Sequence, residues 1–410
     1  MQVRNASHAD IPAVAELWVH TFPGERGQAE RMRDLETGGA FGGIESVEIA
    51  ELDGELAGAM KLYRMAQFTG GARFPLMGLA AVGVAPWARR RGVAAGLCRH
   101  ALRAARERGD VLSGLYPFRP DFYRRLGWAS VGSLHIHRFR TDALAAGAGA
   151  AVRLARPRDG RGIADCYARV AARSNGLIER GEKLWKQHLE APATHAFVVR
   201  ERRVRGYMLV RYGRGRAPEQ RTLQVRELVA EDDTVYAELL GWIPLQRDHW
   251  RVARYDAAPD ELFWMRLRDP RPPGYRGTRR LWDPVARIIR GPMLRILDVR
   301  QALERRTEWG ATTPVTFDLV VDDPVLEENA GRLRVAFDGR RARTRPAGAE
   351  GGADAPATLE TDIGTLTQIW FGEIGPAAAA RLGFARLTGD AAPLETLFRA
   401  RSSFRLLDEF

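Results

Sequence analysis

The sequence predicts a mixed α/β and α+β chain, in which two successive α/β units are closed by a smaller α+β domain. Three observations support this. Residues 79–100 read as a short apolar strand, a proline stop, three consecutive arginines, a glycine and a helix of small residues. Val225-Arg226-Glu227-Leu228-Val229 repeats such a strand later in the chain, but acids, Glu231-Asp232-Asp233, follow it where the first has Arg-Arg-Arg-Gly. From Val315 the texture changes: Val315, Phe317, Leu319 and Val321 alternate as a half-buried strand requires.

Taken in order, Val3-Arg4-Asn5-Ala6 reads as an edge strand, and Ile11, Val14, Leu17 and Trp18 fall at helical spacing behind cap residues at 7–10. Residues 22–43, rich in Gly and Arg, read as a loop. Residues 46–52 and 56–63 flank Asp53-Gly54 as the arms of a hairpin. Pro86 cannot donate to a ladder, so the strand at 79–84 ends before it. The helix that follows, to about residue 108, opens with amides that lack an internal partner. Those amides, the positive end of the dipole and the guanidiniums of Arg89, Arg90 and Arg91 make a site for a polyanion, most simply a pyrophosphate. Gly92, Ala94, Ala95 and Gly96 allow close approach. The triplet alone also fits a solvated basic turn.

A strand at 111–116 and Asp121-Phe122-Tyr123-Arg124-Arg125-Leu126-Gly127-Trp128 complete the first unit. The Ala/Gly-rich run at 143–150, between Thr141 and Ala151, reads as a linker. Helices at 159–173 and 183–189, a strand pair at 196–199 and 206–210, and the strand at 225–229 then rebuild the same order. The acidic loop behind that last strand would repel a pyrophosphate. Residues 281–305, with Trp282, Met293, Leu294, Ile296 and Leu297, read as an amphipathic connector. Strands at 315–321 and 333–337, a loop at 346–356 and helices near 366–371, 376–382 and 393–398 fill the last domain.

The chain has 410 residues, of which 45% are apolar, enough for two or three full-sized cores. Its two cysteines, Cys98 and Cys166, are too few for a disulfide framework or a thiolate metal site, so a reducing cytoplasm is expected. Met-Gln-Val-Arg-Asn-Ala leads straight into a polar segment, so no signal peptide is expected. No apolar run approaches the ~18 residues of a membrane span. A net charge of +12 invites a nucleic-acid partner. Against one, the only lysines are Lys61, Lys183 and Lys186, and the arginines are spread among 51 acids. His20, His100, His135 and His137 show no ligand spacing with carboxylates, and no metal is expected.

Arg89-Arg90-Arg91-Gly92-Val93-Ala94, directly behind Val82-Gly83-Val84, resembles the Arg/Gln-x-x-Gly-x-Gly/Ala loop of GNAT acetyltransferases, which holds the pyrophosphate of acetyl-CoA. Tyr123 to Trp128 resembles a second GNAT landmark, where a tyrosine faces the CoA sulfur; read alone, Tyr123 also fits a half-buried aromatic. The strand and helix order of residues 1–150 is the GNAT order. The last domain resembles sterol-carrier proteins in pattern. Together with Phe122-Tyr123-Arg124-Arg125-Leu126-Gly127, Met293-Leu294-Arg295-Ile296-Leu297-Asp298 and an aromatic last residue, this organisation resembles the enhanced intracellular survival (Eis) family. The domains expected are a catalytic GNAT domain at 1–145, a degenerate one at 150–290 and a sterol-carrier-like one at 291–410.

The resemblance implies transfer of acetyl from acetyl-CoA to primary amines of polycationic small molecules, aminoglycosides or polyamines, in a hexameric enzyme without a metal. Val82, Gly83, Val84, Arg89, Arg90, Arg91, Gly92, Val93 and Ala94 would hold the cofactor. Tyr123 would act as general acid, since its ordinary pKa of about 10 lies above that of a thiol. The α-carboxylate of Phe410 would act as general base; a frayed tail is the usual fate of a terminus, but Phe404-Arg405-Leu406-Leu407-Asp408-Glu409-Phe410 is apolar enough to dock. Asp408 and Glu409 would attract a cationic amine, and Phe22, Glu25 and Trp185 are further acceptor-site candidates. An acetyltransferase of protein lysines and a non-enzymatic ligand carrier are the alternatives.

Overall fold

The structure, a computed structural model, describes residues 1–24, 26–145, 149, 151–213, 215, 221–275, 277, 282–347 and 356–410. Glu25, half of the 143–150 run and most of the 346–356 loop therefore lie outside the described residues. The chain divides into two units. One comprises Met1–Val131, Pro292–Arg401 and Asp408–Phe410; the other comprises Gly132–Gly291 and Ser402–Leu407.

In the first unit, β1 (Gln2–Asn5), β2 (Val47–Leu52), β3 (Glu55–Thr69), β4 (Ala72–Val84), β5 (Leu112–Leu115) and β6 (Ala129–Ser130) form one sheet, with the strand Met293–Ile296 inserted between β5 and β6. Neighbours from β1 to β4 run antiparallel, and β4 and β5 run parallel. Four helices accompany it: α1 (Ile11–Thr21), α2 (Gln28–Thr37), α3 (Val93–Glu107) and α4 (Pro120–Arg124). α1 buries Ile11, Val14, Leu17 and Trp18 and α3 buries Val93, Leu97, Cys98, Ala101, Leu102 and Ala105, as their spacing requires, in one core with the sheet.

The reading of 22–43 as loop is corrected by α2, whose apolar residues are Ala29, the partly buried Met32 and the buried Leu35, too few to show as an apolar stripe. The β3–β4 hairpin is also longer than 56–63 and 79–84. Its turn is Gly70-Gly71, both at positive φ, and polar Arg64, Gln67 and Thr69 interrupted the apolar pattern although Gln67 and Thr69 are buried. Met293–Ile296 is a strand buried at every position, not part of an amphipathic connector. Its Arg295 is fully buried and hydrogen-bonds Asp323 at 2.6 Å, so a charge disguised a core strand.

The rest of the first unit is a five-stranded sheet in the order Ala342–Pro346, Gly331–Phe337, Val315–Asp322, Ala357–Asp362 and Ala385–Gly389, with the buried helix Ile363–Phe371 beside it. The second unit has a seven-stranded sheet in the order Arg287–Arg290, Ser133–Arg140, Val252–Ala257, Thr222–Ala230, Val204–Gly213, Thr194–Arg200 and Val152–Leu154. Ser133–Arg140, which a boundary at 145 assigns to the first domain, thus pairs in the second sheet. No helix among the described residues is long and apolar enough to cross a membrane.

Candidate active site

The first unit's site is organised by an irregularity in β4. Ala59 faces Gly83 and Lys61 faces Ala80, so Met60 alone opposes both Ala81 and Val82, and β4 bulges there. Ala81 takes φ 49°, unusual for a residue with a side chain, and its carbonyl accepts the Trp18 indole N–H at 2.8 Å. On the other edge, parallel pairing with β5 stops at Gly78–Gly114, so residues 79–84 leave their β5-facing edge unpaired in the sheet. Bulge and lost pairing part the two strands.

A cavity of about 460 Å³ opens at this point, lined by Val82, Val84, Arg89, Arg90, Gly92 and Tyr123 among others. Gly92 caps α3 at φ 84°, in the left-handed region that suits glycine, with open space around its α-carbon. The first helical bond runs from Gly96 N–H to Gly92 C=O at 2.9 Å, and no side chain caps the helix. The amides of Val93, Ala94 and Ala95 thus have no helical acceptor, and all three residues line the cavity. These residues fit the diphosphate of an acyl-CoA: uncapped amides at a positive helix end, with two guanidiniums beside them.

Three of the glycines and arginines expected at the loop fall elsewhere. Arg91 pairs with Asp53 at 3.2 Å and lies over the Trp87 ring, and it does not line the cavity. Gly83 lies under α1, where a Cβ would stand 2.7 Å from Leu17 and 3.0 Å from Trp18, so it serves helix packing. Gly96 faces the Met1 side chain, leaving no room there for a ligand. Tyr123 is buried among the rings of Phe118, Phe122 and Trp128, and burial pushes its hydroxyl well above the usual tyrosine range.

A second cavity, of about 380 Å³, uses the neighbouring residues of the same two elements: Ala80 and Ala81 of β4, Trp18 of α1, and Phe22 just beyond it. Its walls also include Tyr63, Lys61 and the terminal Phe410, with Arg26, Arg31 and Asp34. The Phe410 ring packs on two glycines, 3.0 Å from where a Cβ of Gly78 would be and 3.4 Å from that of Gly114. Tyr116 and Phe41 stand edge-on to it, with centroids 5.6 and 6.0 Å away. Tyr116 also donates to the Asp408 carbonyl at 2.7 Å, tying down the last turn of chain. The terminus therefore docks.

Asp408 is buried and Glu409 is exposed, and neither lines this cavity. Trp185 belongs to the second unit, buried against Tyr167, Tyr207 and Arg180. Glu25 lies outside the described residues. Lys61, Tyr63, Phe41 and Tyr116 were not singled out as site residues by the sequence reading, nor was Trp18 beyond its place in a helix stripe. A lone lysine inside an apolar strand of an arginine-rich chain was the one available clue.

The second unit has the matching strand but another loop chemistry. Thr222–Ala230 pairs with the parallel strand Val252–Ala257 only from Thr222 to Val225, so it too splays. Here, however, Asp232 caps the helix Asp233–Trp242, its carboxylate accepting from Val235 N at 3.0 Å. Glu231 pairs with Arg169 at 2.6 Å and Arg203 at 2.9 Å. Arg405 lines the cleft, pairing with Glu261 at 3.7 Å and donating to the Leu228 carbonyl at 3.2 Å. The amides that a phosphate would use already serve a carboxylate.

Comparison with known proteins agrees with this architecture. Models of the acetyltransferase (GNAT) domain match residues 2–131 and 176–296, and a sterol carrier protein domain model matches 299–405. An uncharacterized N-acetyltransferase of Streptomyces avermitilis is 30% identical over 351 residues, covering 77% of this chain and 76% of that protein. The N-acetyltransferase Eis of Mycobacterium tuberculosis is 27% identical over 329 residues, 76% of this chain and 75% of its own. Solved structures share the fold over the whole of both chains: a GCN5-related N-acetyltransferase from Anabaena variabilis (TM-score 0.82, 20% identity) and Eis1 from Mycobacterium abscessus (TM-score 0.79, 22% identity). Tandem GNAT domains with a sterol-carrier-like domain thus define a GNAT N-acetyltransferase. Within that class, the chain belongs to the N-acetyltransferase family of the Streptomyces avermitilis protein and is similar to the Eis N-acetyltransferases at 27% identity over most of its length.

Proposed function

We propose that the first unit transfers acetyl from acetyl-CoA to a primary amine that enters through the cavity closed by Phe410. The observation behind this reading is the pair of cavities flanking one bulged strand end, one with the uncapped α3 amides and Tyr123, the other with the chain terminus. Acetyl-CoA supplies the acetyl group as an activated thioester. Arg89, Arg90 and the amides at 93–95 bind its diphosphate, and the unpaired edge of β4 offers amides towards oxygen charge that develops during transfer.

Proton traffic falls to two groups. The Phe410 α-carboxylate takes a proton from the amine as the C–N bond forms, and Tyr123 Oη gives one to the departing sulfur. A hydroxyl whose pKa is raised by burial stays protonated through the neutral range, as an acid must. No side-chain nucleophile is needed, and both cysteines are buried with thiol pKa values pushed up, Cys98 to about 12 and Cys166 to about 11. The test is a thiol-release screen of the wild-type protein with acetyl-CoA and a panel of amines. Amine-dependent release supports the reading; acetyl-CoA binding without release for any amine contradicts it. The polycationic acceptor implied by the resemblance finds little support in this cavity's charges.

A further inference from the structure

The acceptor cavity is short of carboxylates among its described residues. Three cations line it, Arg26, Arg31 and Lys61, against one side-chain acid, Asp34, and that acid is already paired with Arg26. Arg31 spends its guanidinium on chain carbonyls, donating to Phe22 O at 3.1 Å and Arg26 O at 3.3 Å. Lys61 points its ammonium over the Trp18 ring at 5.4 Å and makes no ion pair or hydrogen bond with a described residue. Burial lowers the Lys61 ammonium, and the two side-chain carboxylates that act on it, Asp34 and Glu45, are engaged elsewhere, with Arg26 and with the Gly43 amide. The remaining walls, Trp18, Phe22, Tyr63 and Phe410, are aromatic.

We propose that the acceptor is a small amine bearing a carboxylate on the same molecule, an amino-acid-like zwitterion whose anionic end is held by Lys61. The proposal rests on the acetyl-transfer reading above and narrows its substrate class. The acceptor's carboxylate supplies the direct ion-pair partner that Lys61 lacks among the described residues, and its apolar body lies on the aromatic walls. Its amine is left to the Phe410 carboxylate. Cationic walls also favour the uncharged amine over the ammonium, and the uncharged form is the nucleophile. A polyamine or aminoglycoside would bring several positive charges into a lining that holds two cations without a carboxylate partner.

The experiment measures KM by thiol release, at saturating acetyl-CoA, for phenylalanine, phenylalaninamide and spermidine, with the wild type, Lys61→Gln and Lys61→Arg. The expected result is a wild-type KM for phenylalanine at least ~10-fold below that for its amide, the size of one charge-assisted contact. Lys61→Gln erases the difference by raising the phenylalanine KM alone, and Lys61→Arg restores it in part. An amide or spermidine used as well as phenylalanine, or a Lys61→Gln change equal for acid and amide, overturns the proposal. So does release with none of the three. Loss of acetyl-CoA binding by calorimetry, in the wild type, overturns the acetyl-transfer reading itself.

Discussion

At the residue scale, the three arginines behind β4 are not equivalent. Arg89 and Arg90 line the cavity at the start of α3, whereas Arg91 is held by Asp53 and Trp87. Replacing Arg89 and Arg90 by alanine should raise the KM for acetyl-CoA about tenfold or more, an effect that grows at low salt. Arg91→Ala should leave it within about twofold, since an exposed pair contributes little. Equal effects at all three positions in steady-state kinetics would contradict this division. Phe410 offers a second residue-scale test. Adding one glycine after it keeps the ring on Gly78 and Gly114 but moves the free carboxylate away, and kcat should fall about 100-fold if that group is the base. Burial raises the Tyr123 hydroxyl, so its acid form persists above the usual tyrosine pKa of about 10. The kcat profile should therefore show no alkaline loss due to Tyr123 below about pH 10; a limb near pH 8 that vanishes in Tyr123→Phe would contradict the assignment.

At the element scale, the bulge of β4 does the positioning. Its strained Ala81 is held by Trp18 from α1, and Gly83 lets that helix sit close enough to do so. Gly83→Ala should push α1 outward, because the new methyl would meet Leu17 and Trp18, and should cost about 1–3 kcal/mol in stability. Thermal melts read the loss, and an unchanged midpoint would show that the contact is not tight. Much of this element was legible beforehand. The Pro86 stop, the Arg-Arg-Arg-Gly turn and the small-residue helix are local features, so each could be read from adjacent residues. The bulge was not, because it arises from a one-residue mismatch between β3 and β4 that neither strand shows alone. α2 was missed because its outward face is polar and its inward face rests on Leu35 and the partly buried Met32 alone. The acceptor cavity was legible only at Phe22 and Phe410; Lys61, Tyr63, Phe41 and Tyr116 are brought together by long-range pairing and chain docking.

At the scale of the whole molecule, the second unit keeps the splayed strand yet answers its own helix terminus with Asp232, so the uncapped helix amides are a feature of the first unit. The first unit is stitched across sequence by one buried charge pair. Arg295 sits in the inserted strand, and burial lowers its guanidinium to about 10 while Asp323 opposes that shift. Asp323 also accepts from the amides of Val325 and Leu326, at 3.0 and 2.9 Å, and from the Asn329 side chain. Asp323→Ala should thus cost about 3–5 kcal/mol, mostly by stranding a buried cation. A drop of several degrees in the melting midpoint is expected, and a change below 1 °C would show that the pair is dispensable.

The central claim is that Tyr123 delivers the proton to sulfur at a site that binds acetyl-CoA without it. Turnover of Tyr123→Phe, at acetyl-CoA and amine concentrations that saturate the wild type and with cofactor affinity measured alongside, tests this most directly. A kcat lower by about 100-fold or more is expected, with affinity for acetyl-CoA preserved. Wild-type turnover in that variant would contradict it.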